Sequence, residues 1–224
     1  VNFTRRDTLI LAAAASALGL CGVSAANGAE GAMVDTAKLM TPAQGYVDHV
    51  LGDENAPVTV IEYASPTCPH CAAFAINVLP SFIEQYVDTG KVKLIIRPFM
   101  RFPQDAAVFL LADAAGPESY HEVVDAYFKT QNVWAVSSTP LDAIFDVAKQ
   151  LGFTRESFDA ALTNQELWAA IQELRNQAIN DFGLTGTPTF YVNGKTLVGD
   201  KTLEELAAEI DPLVPADFVA PAAE

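Results

Sequence analysis

The run Val58-Thr-Val-Ile-Glu-Tyr63 is β-branched and apolar, with Pro57 before it and Ser65-Pro66 after it. It reads as a buried strand, and His49-Val-Leu-Gly52 is a candidate short strand ahead of it. A helical pattern starts at Cys68-Pro-His-Cys71. Cys71, Phe74, Val78 and Leu79 share one face, Pro80 predicts a kink, Phe82, Ile83, Tyr86 and Val87 continue the stripe, and Gly90 ends it. Lys91-Val-Lys-Leu-Ile-Ile-Arg-Pro-Phe99 is the next strand. Strand, helix, strand is a βαβ unit with a right-handed crossover, which commits the chain to an α/β class.

From Gln104 to Phe182 the pattern is helical throughout. Thr139 and Pro140 are good N-cap and N1 residues, and Leu141, Ile144, Phe145, Ala148 and Leu151 form the stripe that Gly152 stops. Thr154 opens a helix with Phe158 and Leu162. Asn164 opens another with Leu167, Ile171, Leu174 and Ala178, ending near Gly183. These are packing stripes and resemble no cofactor box. Thr189-Phe-Tyr-Val192, Asn193-Gly194 and Lys195-Thr-Leu-Val198 read as a hairpin on the favoured two-residue turn. Thr202 with Glu205 makes a capping box for a last helix carrying Leu203, Leu206 and Ile210.

Half of the 224 residues are apolar, enough for one domain with a sizeable insertion, and the formal net charge of −15 argues against polyanionic partners such as nucleic acid. Arg5 and Arg6, an apolar run from Leu9 to Leu20 and the small residues Val23 to Ala26 are the three parts of an export signal. The apolar run is short for a bilayer span, and an uncleaved signal anchor is the alternative. Thr4-Arg-Arg-Asp-Thr-Leu9 resembles a twin-arginine signal, from which Thr8 departs. Cys21 follows Leu20 rather than a small residue, which argues against lipidation; cleavage near Ala25 or Ala26 removes it. The chain then divides into a signal peptide at 1–26, a flexible lead-in at 27–45, a domain at 46–211 with a helical insertion at about 104–183, and a loose tail at 212–224.

Cleavage leaves one pair of cysteines, Cys68 and Cys71. A loop that short constrains the unfolded chain very little, so stapling does not explain it. Zinc lacks a second ligand pair, since His49 and His121 are isolated and read as surface or half-buried structural residues. Thiol–disulfide exchange does explain the pair. It needs one accessible thiolate and a resolving thiol nearby. The first Cys of a Cys-x-x-Cys at a helix start meets unpaired backbone N–H groups that favour the anion, and the second lies one turn in and deeper. Stabilising the thiolate favours the reduced form and makes the disulfide a better oxidant. His70 adds charge or a hydrogen bond beside Cys68, and Pro69 fixes the turn into the helix.

Cys68-Pro69-His70-Cys71 resembles the active site of DsbA-type disulfide oxidases, and Gly186-Thr-Pro-Thr-Phe190 resembles the cis-proline loop of the thioredoxin superfamily. Glu62, six residues before Cys68, matches a buried acidic residue of DsbA-like proteins. The resemblance covers nearly all of the mature chain. It implies a thioredoxin fold with a helical insertion between its βαβ and ββα halves, and catalysis by Cys68, which forms the mixed disulfide, and Cys71, which resolves it. It further implies a cis Pro188, a Thr187 backbone that pairs with substrate, and a Glu62 that relays a proton to or from Cys71; a buried carboxylate satisfied by water or Lys is the other reading of Glu62. Thr187 stands where some of these oxidases carry Val, which affects oxidising strength.

No cofactor beyond the Cys68–Cys71 disulfide and no stable metal is implied. The expected partners are cysteine-containing exported polypeptides and a membrane redox partner of DsbB type, with the protein a periplasmic or otherwise exported monomer. Three other readings remain: a disulfide isomerase or reductase of the same fold, though the dimerisation segment such isomerases carry has no room here; a chaperone-like binding module; and a Cu(I) carrier using Cys68, His70 and Cys71, which the neighbouring proline disfavours.

Overall fold

The computed structural model describes residues 28–220. The expected signal segment, Cys21 included, lies outside the described residues, as does the end of the expected tail. Five strands, β1 (Val50–Leu51), β2 (Val58–Ala64), β3 (Val92–Pro98), β4 (Thr189–Val192) and β5 (Lys195–Val198), form one sheet in the order β1-β3-β2-β4-β5. β2 and β3 are parallel from Val58↔Val92 to Ala64↔Pro98, and the other pairs are antiparallel. β2 is central and covered on both faces, which is why its sequence is a continuous apolar run and not an alternating one.

Between β2 and β3 lie α2 (Pro69–Asn77), α3 (Leu79–Phe82) and a π-helical turn (Ile83–Val87). The expected kink at Pro80 is a break two residues earlier, at Val78 with φ −117°. Pro80 sits in the first turn of α3, where its missing N–H would have been unpaired anyway. The insertion comprises α4 (Pro103–Ala114), α5 (Tyr120–Lys129), α6 (Gln131–Trp134), α7 (Pro140–Gln150), α8 (Arg155–Leu162) and α9 (Gln165–Phe182), and α10 (Leu203–Ile210) follows β5. Phe74 of α2 packs edge-on against Phe190 of β4, and Phe182 of α9 against Tyr191, so helices cover both faces of the sheet. Thr154, Asn164 and Thr202 each accept a backbone N–H at the start of a helix, as their sequences predict. Thr139 occupies the N-cap of α7 without capping it. Leu141, expected in the α7 stripe, is 57% exposed, whereas Ile144 and Ala148 are buried.

The expected flexible lead-in is packed. Gly31 N–H donates to Thr196 O, Thr196 N–H to Ala32 O and Val34 N–H to Gly194 O, so this arm runs along the outer edge of β5. Val34, Leu39 and Ala43 are buried, Leu39 within α1 (Thr36–Leu39). Covering an exposed strand edge takes backbone hydrogen bonds, which need no periodic side chains, and small polar residues suffice for it. The Asn193-Gly194 turn has positive φ at both residues, 44° and 91°, and a Cβ on Gly194 would meet Thr36 Cγ2 at 2.6 Å. Gly is therefore required both for the turn and for the approach of α1. Past the 3-10 turn Asp211–Leu213, most of the described tail is exposed.

One buried cation organises the face of the sheet opposite Phe74. Arg97 of β3, fully buried, donates Nε to Asp48 Oδ1 at 2.8 Å and Nη2 to Asp48 Oδ2 at 2.6 Å, and Nη1 to the Tyr63 hydroxyl at 3.1 Å. A guanidinium in such a place is tolerable because the fork is filled. Asp48→Ala should therefore cost about 3–5 kcal/mol in urea unfolding, far beyond a surface ion pair; a loss under about 1 kcal/mol would mean that solvent reaches Arg97.

Candidate active site

Three segments meet at Cys68. The first is the β2–α2 loop. Cys68 is the N-cap of α2 with extended backbone (φ −83°, ψ 121°), and Pro69 supplies the fixed φ of the first helical residue. The second is Gly186–Pro188, where the Thr187–Pro188 peptide is cis. In its protonated form the Cys68 thiol donates to the Thr187 carbonyl at 3.2 Å. The third is the turn after β5, whose Asp200 Oδ2 lies 2.6 Å from His70 Nδ1.

The two sulfurs have opposite environments. Donation from the Cys71 thiol, with help from the Thr187 hydroxyl and the N–H groups of Cys71 and His70, outweighs burial and brings the Cys68 thiol down to about 5. Burial, reinforced by the role of donor to Cys68 and by the charge of Glu62, pushes Cys71 well above the usual thiol range. The Thr187 hydroxyl is buried with no hydrogen-bond partner in the dithiol, so it is free to turn to a sulfur anion. Both cysteines are free thiols. Cys68 is only 3% exposed, less open than the accessible thiol the sequence suggests, because the Thr187 backbone lies over it.

Glu62, on β2 opposite Phe190 of β4, is buried, and its Oε1 has no hydrogen-bond partner. Burial, and secondarily the Cys68 charge, push its carboxyl up to about 8. Among the described residues no Lys pairs with it. Pro69 and His70 are exposed, while Pro188 is buried. The structure thus gathers Glu62, Cys68, Cys71, Thr187 and Pro188 in one place and draws the His70 ring outward to Asp200. His49 and His121 lie elsewhere: His49 stacks on Tyr120 at 3.8 Å, and His121 Nε2 lies 3.2 Å from His49 O. Among the described residues no three His, Cys, Asp or Glu side chains converge as metal ligands.

A family model described as Thioredoxin matches residues 46–212. A Rickettsia conorii protein assigned by name to the protein-disulfide oxidoreductases is 30% identical over 165 residues, covering 73% of this chain and 59% of that protein. The chain thus spans about three-fifths of the length of the curated relatives it matches. Among solved structures, α-DsbA1 of Wolbachia pipientis superposes with a TM-score of 0.74 at 28% identity, covering 80% of this chain and 96% of that one. BdbD of Bacillus subtilis, at 21% identity and a TM-score of 0.68 over 84% of this chain and 99% of its own, shares the fold.

This chain is a DsbA-like member of the thioredoxin family. No helix among its described residues is long and apolar enough to cross a membrane.

Three residues that hold this DsbA-like site together were not visible in the sequence. Asp105, buried in the first turn of α4, accepts four hydrogen bonds: Ser65 Oγ (2.9 Å) and Thr67 N–H (2.7 Å) on Oδ1, Arg101 N–H (2.8 Å) and Phe102 N–H (2.9 Å) on Oδ2. Gln131 of α6 donates Nε2 to Pro66 O at 2.7 Å and Cys68 O at 2.8 Å. Together they clamp the loop that delivers Cys68 to α2. Asp200 is the third. A carboxylate three residues into a helix has a local signature, but its partners 40 residues away do not.

The raised carboxyl of Glu62 has a signed consequence. Below the ordinary carboxyl value of 4.5 it is protonated in both folded and unfolded chains. As pH rises towards about 8 the folded protein alone keeps the proton, so stability falls; above about 8 the loss is complete. Glu62→Gln in the reduced protein should therefore gain nothing at pH 4 and on the order of 4 kcal/mol at pH 9, measured by urea unfolding across that range. A difference independent of pH would contradict a carboxyl held protonated by burial.

Proposed function

We propose that this protein is a thiol–disulfide oxidoreductase that donates the Cys68–Cys71 disulfide to cysteines of exported polypeptides outside the cytoplasm. The observation that carries the reading is the asymmetry of the two sulfurs: Cys68 is stabilised as an anion and Cys71 as a thiol. A substrate thiolate attacks Cys68 Sγ, the Cys68–Cys71 bond breaks, and the electron pair leaves on Cys71, which takes a proton. A second thiolate of the same substrate attacks the substrate sulfur of the mixed disulfide, and Cys68 leaves as its stabilised anion. Two electrons pass to the enzyme for each substrate disulfide made. The remaining step is reoxidation by a membrane redox partner of DsbB type, and the disulfide itself is the only cofactor.

The other residues fit defined parts of this cycle. The Thr187 backbone beside Pro188 is the place for a substrate main chain, and the Thr187 hydroxyl steadies the leaving Cys68 anion. Glu62 supplies the proton that Cys71 takes. A hollow of about 530 Å³ lies beside Pro69, with exposed Val136 at its edge, and an apolar hollow of about 510 Å³, with exposed Leu141 at its edge, shares Phe102 with it. Such surface suits unfolded chain rather than a small thiol.

Oxidising strength follows thiolate stability. A thiol near 5 falls between the DsbA and thioredoxin values of about 3.5 and 7. Equilibration with glutathione should give a potential between about −120 and −200 mV; a value near thioredoxin's, about −270 mV, would move the assignment to a reductase. Cys68→Ser should lose all oxidase activity on a reduced, unfolded protein, whereas Cys71→Ser should accumulate a mixed disulfide on non-reducing gels. Retained function in Cys68→Ser would favour the chaperone-like reading.

A further inference from the structure

We propose that Asp200 is a positioning residue that holds His70 away from the Cys68 sulfur and so restrains the oxidising power of the couple. The proposal rests on the thiol–disulfide reading above and deepens it. Its starting point is where the His70 ring goes. The groups acting on Cys68 are the Cys71 thiol, Thr187 and the backbone of His70 and Cys71. The imidazole has its partner in Asp200, at 2.6 Å.

An exposed ion pair is weak when both side chains must be ordered to form it. Here the turn that carries Asp200 is already fixed. Gly199 N–H donates to Pro188 O at 2.9 Å, tying the turn to the cis-proline segment, and Gly199 has a φ of 78° that favours glycine. From the other side Glu30, on the N-terminal arm, accepts Val198 N–H at 2.6 Å and pairs with Lys201 Nζ at 3.2 Å. The residues on either side of Asp200 are thus anchored to the site and to the arm, and Asp200 is presented to His70 at little entropic cost. The charged partner of the ring is Asp200, and the same turn carries Lys201, itself paired with Glu30.

The consequence is electrostatic. An imidazolium turned to Cys68 would favour the thiolate and hence the reduced enzyme. A ring bound to a carboxylate through Nδ1 has that nitrogen occupied. The motif Cys-Pro-His-Cys therefore overstates how strongly this enzyme oxidises, and the missing contribution is stored in the Asp200 contact.

The test is the equilibrium constant with glutathione for the wild type, Asp200→Asn, Asp200→Ser, His70→Gln and the Asp200→Asn/His70→Gln double variant, each with its melting temperature. Freeing His70 should make both Asp200 variants more oxidising by about tenfold, which is about 30 mV for a two-electron couple, with melting of the oxidised forms unchanged because Asp200 is exposed. His70→Gln alone should shift little, and in the double variant the gain should vanish. Glu30→Gln, which loosens the turn without touching His70, should move part of the way. No shift in either Asp200 variant overturns the proposal. A shift that persists in the double variant also overturns it, since the carboxylate would then act on Cys68 directly. Failure of every protein, wild type included, to exchange with glutathione would remove the underlying reading and the proposal with it, and is recognisable because no variant differs.

Discussion

A sulfur anion held in a nearly closed site is the constraint to which the surrounding structure answers. Charge is costly to bury unless donors are already aimed at it. The β2–α2 junction aims them: the helix begins at Cys68, so the N–H groups of its first turn have no helical partner and point at the sulfur. Cys71, one turn in, reaches back with its thiol. Thr187 closes the remaining side. The backbone donors among these are not costly to provide, because they are unpaired by virtue of where the helix starts.

Such a site works only if Cys68 is delivered at a fixed angle. β2 ends at Ala64 and α2 begins at Pro69, and the residues between them, though mostly buried, lie outside the sheet and helix hydrogen-bond ladders. Asp105 and Gln131 supply what is missing, and both come from the helical insertion. The insertion is therefore part of the site's framework as well as a cover for the sheet. Asp105 also binds the two N–H groups of Arg101 and Phe102 that precede α4, so the end of β2 and the start of the insertion share one carboxylate. Phe102, held in this way, borders both the hollow beside Pro69 and the apolar hollow next to it.

What could be read in the sequence was what local chemistry encodes. Asn193-Gly194 specifies its turn, Thr202 and Glu205 their capping box, and the β-branched run of β2 its burial. The Cys-x-x-Cys at a helix start carries its own electrostatics. What could not be read depends on pairs far apart in the chain. Arg97 looks like a strand residue until Asp48 fills its fork, and Asp200 looks like a loop residue until His70 comes within 2.6 Å. The arm from residue 28 onward failed for another reason: its pairing with β5 is made by backbone atoms, and backbone hydrogen bonds leave little mark on composition. Leu141 misled because a helical stripe specifies a face but not how far the neighbouring helices extend over it.

The proton balance of the cluster follows from the same burial. Near neutral pH the dithiol form holds one anion, on Cys68, while Cys71 and Glu62 keep their protons. A second anion at Cys71 or Glu62 would sit in the same desolvated pocket as the first, and Coulomb repulsion there is poorly screened. Opening the disulfide therefore requires a proton for Cys71 as the bond breaks. Burial, rather than the Cys68 charge, is the larger cause of Glu62's raised value, and burial does not depend on redox state. The larger part of the rise therefore does not come from the Cys68 charge, which the oxidised pair lacks. Burying the Glu62 carboxyl is a cost to the fold, and its Oε1 has no protein hydrogen-bond partner among the described residues. In the proposed cycle that cost keeps a proton available beside a sulfur that needs one only at the instant of exchange.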